Sequence, residues 1–144
     1  MNNKLNIPGK KTGIWMDQEK AYIISIIENQ EPEIEEINSG IELRERFPGE
    51  KETATRFGKY IVGEREKKQR RQEHERVKYY KNIMDHLHDA EGIFIFGPGE
   101  TKHELAKEIK KTPMLRGKLF DIENSDQLTL NQMKAKVKEF FSEK

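Results

Sequence analysis

The sequence has no cysteine among its 144 residues, which excludes disulfide bonds, zinc–thiolate sites and catalysis by a thiol. It also lacks any apolar run near the roughly 18 residues that a membrane-spanning helix needs. Residues 1–11 are polar, contain no hydrophobic signal segment, and are expected to form a flexible lead-in. These absences predict a soluble, cytoplasmic protein without a membrane partner, and nothing in the sequence indicates a cofactor.

A strong net charge is absent as well, because 27 basic and 26 acidic residues leave a formal charge of +1. This balance argues against a uniformly basic nucleic-acid binder, yet the charges are segregated along the chain. Residues 28–52 carry nine acidic and three basic residues, whereas residues 64–81 carry eight basic and four acidic residues. Such asymmetry says more about possible partners than the total charge does.

The N-terminal part of the chain predicts three strands. Residues 12–16, 21–27 and 31–38 are separated by short polar turns, which is typical of an antiparallel meander. Trp15 is expected in the core or at a strand edge. The third strand is so acidic that we expect it at a sheet edge, where charge discourages pairing with another chain.

A long segment without hydrophobic periodicity follows, and we predict a loop at residues 39–63. Loops of this length within compact domains are usually either functional or disordered. Residues 64–89 then predict one long helix, because neither proline nor glycine interrupts them. Val77, Tyr80, Met84 and Leu87 are three or four residues apart, which predicts the face that packs on the core.

Residues 92–105 give the clearest local signal. Residues 93–96 are consecutively apolar, which predicts a strand buried on both faces. Gly97-Pro98-Gly99 ends this strand, and residues 100–111 predict an amphipathic helix. A fifth strand at residues 118–122 and a last helix, capped by Thr129 or Asn131, complete the chain.

The resulting order is β-β-β-α-β-α-β-α. It predicts one α/β domain, residues 12–144, with a mixed five-stranded sheet and helices on its faces. Because each later strand is followed by a helix, right-handed crossovers should place the fourth and fifth strands parallel to each other.

Three segments carry a family resemblance that covers residues 12–143. They are Thr12-Gly-Ile-Trp-Met-Asp with Ala21-Tyr-Ile-Ile-Ser, then Arg56-Phe-Gly before the charged helix, then Gly92-Ile-Phe-Ile-Phe-Gly-Pro-Gly-Glu-Thr-Lys. In this order they resemble the middle domain of archaeal and eukaryotic class-1 peptide chain release factors and of Pelota. The resemblance implies a ribonuclease-H-like fold, a stand-alone bacterial-type relative, and a surface suited to tRNA or ribosomal RNA.

The chain departs from the release factors at the residues that carry their chemistry. Those factors have a Gly-Gly-Gln tripeptide before the long helix, whereas residues 39–62 contain neither a Gly-Gly pair nor a glutamine. Pelota also lacks the tripeptide. Hydrolysis of peptidyl-tRNA is therefore not implied for this chain, and we expect no enzymatic activity.

The best candidate site is one face of the long helix. Basic side chains at helical spacing can neutralise successive phosphates, and Tyr79 and Tyr80 are candidates for stacking on a base. The alternative is a solvated helix whose charges form i,i+4 pairs such as Glu66 with Arg70. The candidate nucleic-acid contacts are Lys67, Arg70, Arg71, His74, Lys78 and Lys81.

The turn after the fourth strand is a second candidate, either a structural turn or a weak anion site. A helix N-terminus attracts anions, but Glu100 stands where a phosphate would bind, and the pattern matches neither a dinucleotide fingerprint nor a P-loop. We therefore favour the structural role. The residues concerned are Gly97, Pro98, Gly99, Thr101 and Lys102.

A metal-dependent nuclease would need clustered carboxylates. Asp17, Asp85 and Asp121 are the candidates, but nothing in the sequence brings them together. His86 and His88 lie on different faces of the long helix, so we expect surface histidines rather than metal ligands.

The sequence therefore predicts a non-catalytic, translation-related domain that binds ribosomal RNA or tRNA, with a ribosome or a tRNA as its partner. The alternative is a protein-interaction or self-association module, in which residues 28–52 engage the basic helix of another copy. A ribonuclease-H-like hydrolase is the third hypothesis. The oligomeric state stays open.

Overall fold

The computed structural model describes residues 9–41 and 58–142, and it describes the side chains of the long helix from residue 65 onward. The predicted order of strands and helices is confirmed. A single 3-10 turn, Arg116–Lys118, precedes the last strand. The elements are β1 (Lys10–Met16), β2 (Lys20–Ile26), β3 (Glu33–Asn38), α1 (Gly58–Asp85), β4 (Ala90–Gly97), α2 (Thr101–Lys111), β5 (Leu119–Asn124) and α3 (Leu130–Phe141).

The five strands form one mixed sheet in the order β3-β2-β1-β4-β5. β1 pairs antiparallel with β2, and β2 pairs antiparallel with β3, which confirms the predicted meander. β4 lies parallel to both β1 and β5, which confirms the predicted parallel arrangement of the fourth and fifth strands. The acidic β3 is at an edge of the sheet, as predicted.

The meander folds because its turns are locally stabilised. Asp17 Oδ1 accepts hydrogen bonds from the backbone N–H groups of Glu19 (2.8 Å) and Lys20 (2.9 Å), which closes the β1–β2 turn. In the β2–β3 turn, Asn29 has a φ of 65°, and asparagine tolerates this left-handed conformation better than most residues.

Alternating side chains of the central strands divide the core between the two faces of the sheet. Ile93 and Ile95 of β4 point towards α1 and α2, whereas Phe94 and Phe96 point towards α3, where Trp15 also packs. This confirms the predicted strand buried on both faces and the core position of Trp15. The Trp15 indole Nε1 donates a hydrogen bond to Asp126 O at 3.1 Å.

Several boundaries differ from the predicted ones. β1 begins at Lys10, so residues 10 and 11 belong to the sheet rather than to the lead-in, whereas residues 1–8 lie outside the described part. α1 begins at Gly58 and ends at Asp85, so its first residues replace the end of the predicted loop at 39–63. Residues 42–57 of that loop lie outside the described part as well.

The predicted core face of the long helix was wrong at Val77. This side chain is 58% exposed, and from residue 65 onward the buried residues of α1 are Tyr79, Tyr80 and Ile83, with Leu87 just after the helix end. At 100° per residue, Val77 lies about 120° around the helix from Ile83. Val77 has the spacing of a core residue relative to Tyr80 and Met84. On this side, however, the helix borders a groove beside α2 rather than the core.

Candidate nucleic-acid interface

The six predicted basic residues form one exposed face of α1, which we call the basic face. At 100° per residue they occupy an arc of about 100°, roughly opposite the buried Ile83. From the first to the last they span about 21 Å of helix at 1.5 Å per residue. All six side chains are exposed to solvent, namely Lys67, Arg70, Arg71, His74, Lys78 and Lys81.

Among the residues whose side chains the structure describes, no acid pairs with the basic face. Between residues 67 and 81, the acidic residues Glu73 and Glu75 both fall outside the arc of the basic face, and Glu73 pairs with Arg76 at 3.1 Å. Within the described part of the chain, no ion pair or side-chain hydrogen bond engages the six basic residues. The expected i,i+4 pair between Glu66 and Arg70 does not form. The face therefore offers its charge to an external anion.

The expectation that Tyr79 and Tyr80 stack on a base was wrong. Both are buried against the sheet and α2 rather than exposed beside the basic residues. The Tyr79 hydroxyl donates to Asp17 O at 3.0 Å, and the Tyr80 hydroxyl donates to Glu104 Oε1. Burial raises the pKa of both hydroxyls, and the charges of Asp17 and Glu104 raise it further. These tyrosines anchor α1 instead.

The turn between β4 and α2, residues 97–100, is shaped by a close approach to β1. Gly97 has a φ of 144°, and a Cβ at this position would lie only 2.2 Å from Met16 O. Only glycine fits such a site. Gly99 also has a positive φ of 70°, and α2 begins directly after Glu100, whose side chain makes no capping hydrogen bond.

Lys102 occupies an unexpected place in this turn. The residue is only 1% exposed, and its Nζ donates a hydrogen bond back to Gly99 O. Its ammonium group therefore ties the turn to the first turn of α2, and Thr101 beside it is buried as well. The arrangement is that of a structural turn, because the one lysine of this turn that could meet a phosphate is already enclosed.

The carboxylates considered for a metal site have separate local roles. Asp17 closes the β1–β2 turn, Asp121 Oδ1 accepts from the N–H of Ile122 at 2.8 Å, and Asp85 is exposed at the end of α1. Among the described side chains, residues 9–41 and 65–142, no three His, Asp or Glu residues converge in a way that could hold a metal ion.

The histidines also have local partners. His86 lies between Asn82 O at 2.9 Å and Glu35 Oε2 at 3.2 Å, and the second of these contacts connects α1 to the edge strand β3. His88 Nδ1 lies 3.2 Å from Asp85 O. Both histidines therefore have structural contacts at the end of α1, and we do not assign them as metal ligands.

Sequence reasoning missed a groove between α1 and α2, which we call the α1–α2 groove. It has a volume of about 630 Å³ and borders the basic face at Lys81. No sequence signal pointed to it, because Val77 was assigned to the core stripe and Met114 lies between two predicted elements. The lining residues are Val77, Tyr80, Lys81, Met84, Asp85, His88, Glu108, Thr112, Met114 and Leu115.

The fold is similar to that of two longer archaeal proteins of known structure. An archaeal translation termination factor, aRF1, superposes with a TM-score of 0.53 and 13% sequence identity, covering 99% of this chain and 36% of the factor. Pelota from Archaeoglobus fulgidus superposes with a TM-score of 0.54 and 9% identity, covering 93% of this chain and 32% of Pelota. The chain thus spans about a third of the length of each protein.

These likenesses confirm the predicted resemblance at the level of the fold, a mixed five-stranded sheet flanked by helices. No protein-family model matches the sequence, and no curated protein matches it either. In the part of the chain that the structure covers, no helix is long and apolar enough to cross a membrane.

Proposed function

We propose that this chain is a non-catalytic, translation-related domain that binds ribosomal RNA or tRNA through the basic face of α1. The observation that carries the proposal is the exposure of six basic side chains on one arc of a helix, unpaired with any described acid. Their counterions would be released when phosphates replace them, which favours binding to a polyanion.

The likeness of the fold to aRF1, a translation termination factor, supports the translation-related part of the proposal. The orientation of the basic face supports the proposal of RNA binding. The core-facing side of α1 is fixed by the buried Tyr79, Tyr80 and Ile83, so the basic face points away from the sheet. A row of cations along about 21 Å of helix suits the repeated phosphates of an RNA strand.

The test is the salt dependence of binding to purified ribosomes and to tRNA. For a protein that neutralises Z phosphates, the logarithm of the binding constant falls with the logarithm of the salt concentration, with a slope of about −0.7Z to −0.9Z. Changing Arg71→Gln, Lys78→Gln and Lys81→Gln together should make this slope shallower by about 2 to 3.

The matched control removes three positive charges from other surfaces. Lys107→Gln and Lys110→Gln on α2 with Lys138→Gln on α3 change exposed lysines without touching the basic face. The control should keep the wild-type slope. Equal losses in the two triple variants would mean that only net charge matters, and no association at low salt would refute RNA binding.

A second candidate function is self-association, in which the acidic region of one copy meets the basic face of another. The exposed Glu33, Glu35 and Glu36 on the edge strand β3 favour it. Sedimentation at high protein concentration and low salt separates the two functions, because a monomer under these conditions removes the self-association hypothesis.

A further inference from the structure

The α1–α2 groove is an apolar depression that borders the basic face. Val77 of α1 is 58% exposed and Met114, after α2, is 66% exposed, and both line the groove. They are two of four large hydrophobic side chains that stay exposed in the described part of the chain. Met84 lines the groove as well, so the groove has apolar walls.

The groove and the basic face share one residue. Lys81 belongs to both, and Val77 lies about 40° around the helix from Lys81 and about 100° from Lys78. An RNA strand whose phosphates follow the basic face therefore passes the mouth of the groove. Its bases, which project from the sugar–phosphate chain, are the groups nearest to the apolar walls.

The charges at the rim distinguish a base from a phosphate. Asp85 and Glu108 are both lining residues, but Glu108 Oε2 already pairs with Lys111 Nζ at 3.6 Å. Asp85 is therefore the carboxylate that would repel a phosphate and accept a hydrogen bond from an N–H group at a base edge. The thioethers of Met84 and Met114 are polarizable and contact aromatic rings favourably. A volume of about 630 Å³ lies within the ordinary range for small-ligand pockets and leaves room for one nucleoside.

We propose that the α1–α2 groove holds an unstacked base of a single-stranded RNA segment while the basic face holds the adjacent phosphates. This inference rests on the proposed function, because it requires RNA on the basic face. It adds a preference for single-stranded over duplex RNA, which phosphate contacts alone cannot give, because a paired base leaves its stack only at a cost in free energy.

The experiment uses the full chain and two probes of equal sequence. One is a single-stranded RNA decamer with a central 2-aminopurine, and the other is the same decamer paired with its complement. The wild type should bind the single strand more tightly and should increase 2-aminopurine fluorescence as the base leaves its stacked neighbours. Val77→Ser with Met114→Ser should weaken single-strand binding about tenfold, abolish the fluorescence increase, and leave duplex binding unchanged.

The control variant is Leu130→Ser, which changes an exposed hydrophobic residue on α3, across the sheet from the groove. It should behave as the wild type. If the groove variant binds the single strand as tightly as the wild type, the inference is overturned, whatever else the groove accommodates. Suppose that the wild type and the groove variant each bind the single strand and the duplex with equal affinity, while the triple basic-face variant binds both probes more weakly. The proposed function then stands without the base site. If the wild type binds neither probe, both proposals fail.

Discussion

Two regions of this molecule carry lysines that could meet a phosphate, and they differ in where the charge is held. In the β4–α2 turn the backbone is tightly shaped, but Lys102 is enclosed and bonded to Gly99 O. On the basic face all six side chains are exposed to solvent, and one of them, Lys81, borders the α1–α2 groove. The comparison distinguishes a lysine whose charge the fold uses internally, in the turn, from lysines whose charge stays accessible on the helix.

The largest effect is expected at the turn, from Gly97→Ala. The new Cβ would lie 2.2 Å from Met16 O at a φ of 144°, so β1 and β4 would have to move apart. We expect a loss of about 3 kcal/mol in the free energy of unfolding. Urea denaturation measures it, and RNA affinity of the folded fraction should be unchanged.

Two other glycines serve as graded controls for this prediction. Gly99 has a φ of 70°, but a Cβ there would meet open space, so Gly99→Ala should cost about 1 kcal/mol. Gly117 has open space and no positive φ, so Gly117→Ala should be nearly neutral. Equal costs at all three positions would contradict the close approach of Gly97 to β1.

A second prediction separates the two kinds of lysine directly. Lys102→Ala removes a buried aliphatic stem and one hydrogen bond, so it should lower the free energy of unfolding by about 2 kcal/mol. It should not change the salt slope of RNA binding, because the ammonium group is enclosed. A variant with normal stability and weaker RNA binding would move the anion site to the turn.

The fold was predictable from the sequence because its signals are local. The apolar run of residues 93–96, the glycine turn and the short polar turns of the meander each fix an element without knowledge of the rest. The basic face was predictable for the same reason, since helical spacing alone puts Lys67, Arg71, Lys78 and Lys81 on one side.

The missed features depend on contacts between segments that are distant in the sequence. Tyr79 and Tyr80 were expected to face an RNA base, because aromatic residues among basic ones are typical of nucleic-acid sites, but Asp17 and Glu104 supply their hydrogen-bond partners inside the fold. The α1–α2 groove combines α1, α2 and Met114. No periodicity within one helix can reveal a surface of that kind.

A third prediction concerns a single residue of the basic face. Lys78→Gln should make the salt slope of RNA binding shallower by about 0.7 to 0.9 and should weaken binding a few fold at low salt. Because Lys78 is exposed and unpaired among the described residues, the free energy of unfolding should change by less than about 0.5 kcal/mol. Lys107→Gln on α2 is the matched control and should leave both quantities unchanged.

The smallest effect is expected for a lysine that is neither enclosed nor free. Lys10 Nζ lies 3.2 Å from Asp89 Oδ1, and the Asp89 side chain is 54% exposed. Although slight burial acts to raise the pKa of Asp89, its hydrogen bond with Lys10 and the charge of that residue lower the pKa below its usual value. The pair therefore contributes stability above about pH 4, and the contribution is lost as the pH falls through the lowered pKa.

Solvent screening limits this contribution, so Asp89→Asn should lower the free energy of unfolding by about 0.5 kcal/mol or less at pH 7 and low salt. Urea denaturation of the variant and the wild type should differ at pH 7 and converge once the pH has fallen below the lowered pKa of Asp89. A difference that persists in acid would assign the effect to packing at the α1–β4 connection rather than to charge. A difference of several kcal/mol would mean that Lys10 contributes to stability as the enclosed Lys102 does, and not as little as the exposed Lys78. Exposure would then no longer explain why the lysines of the turn and of the basic face differ.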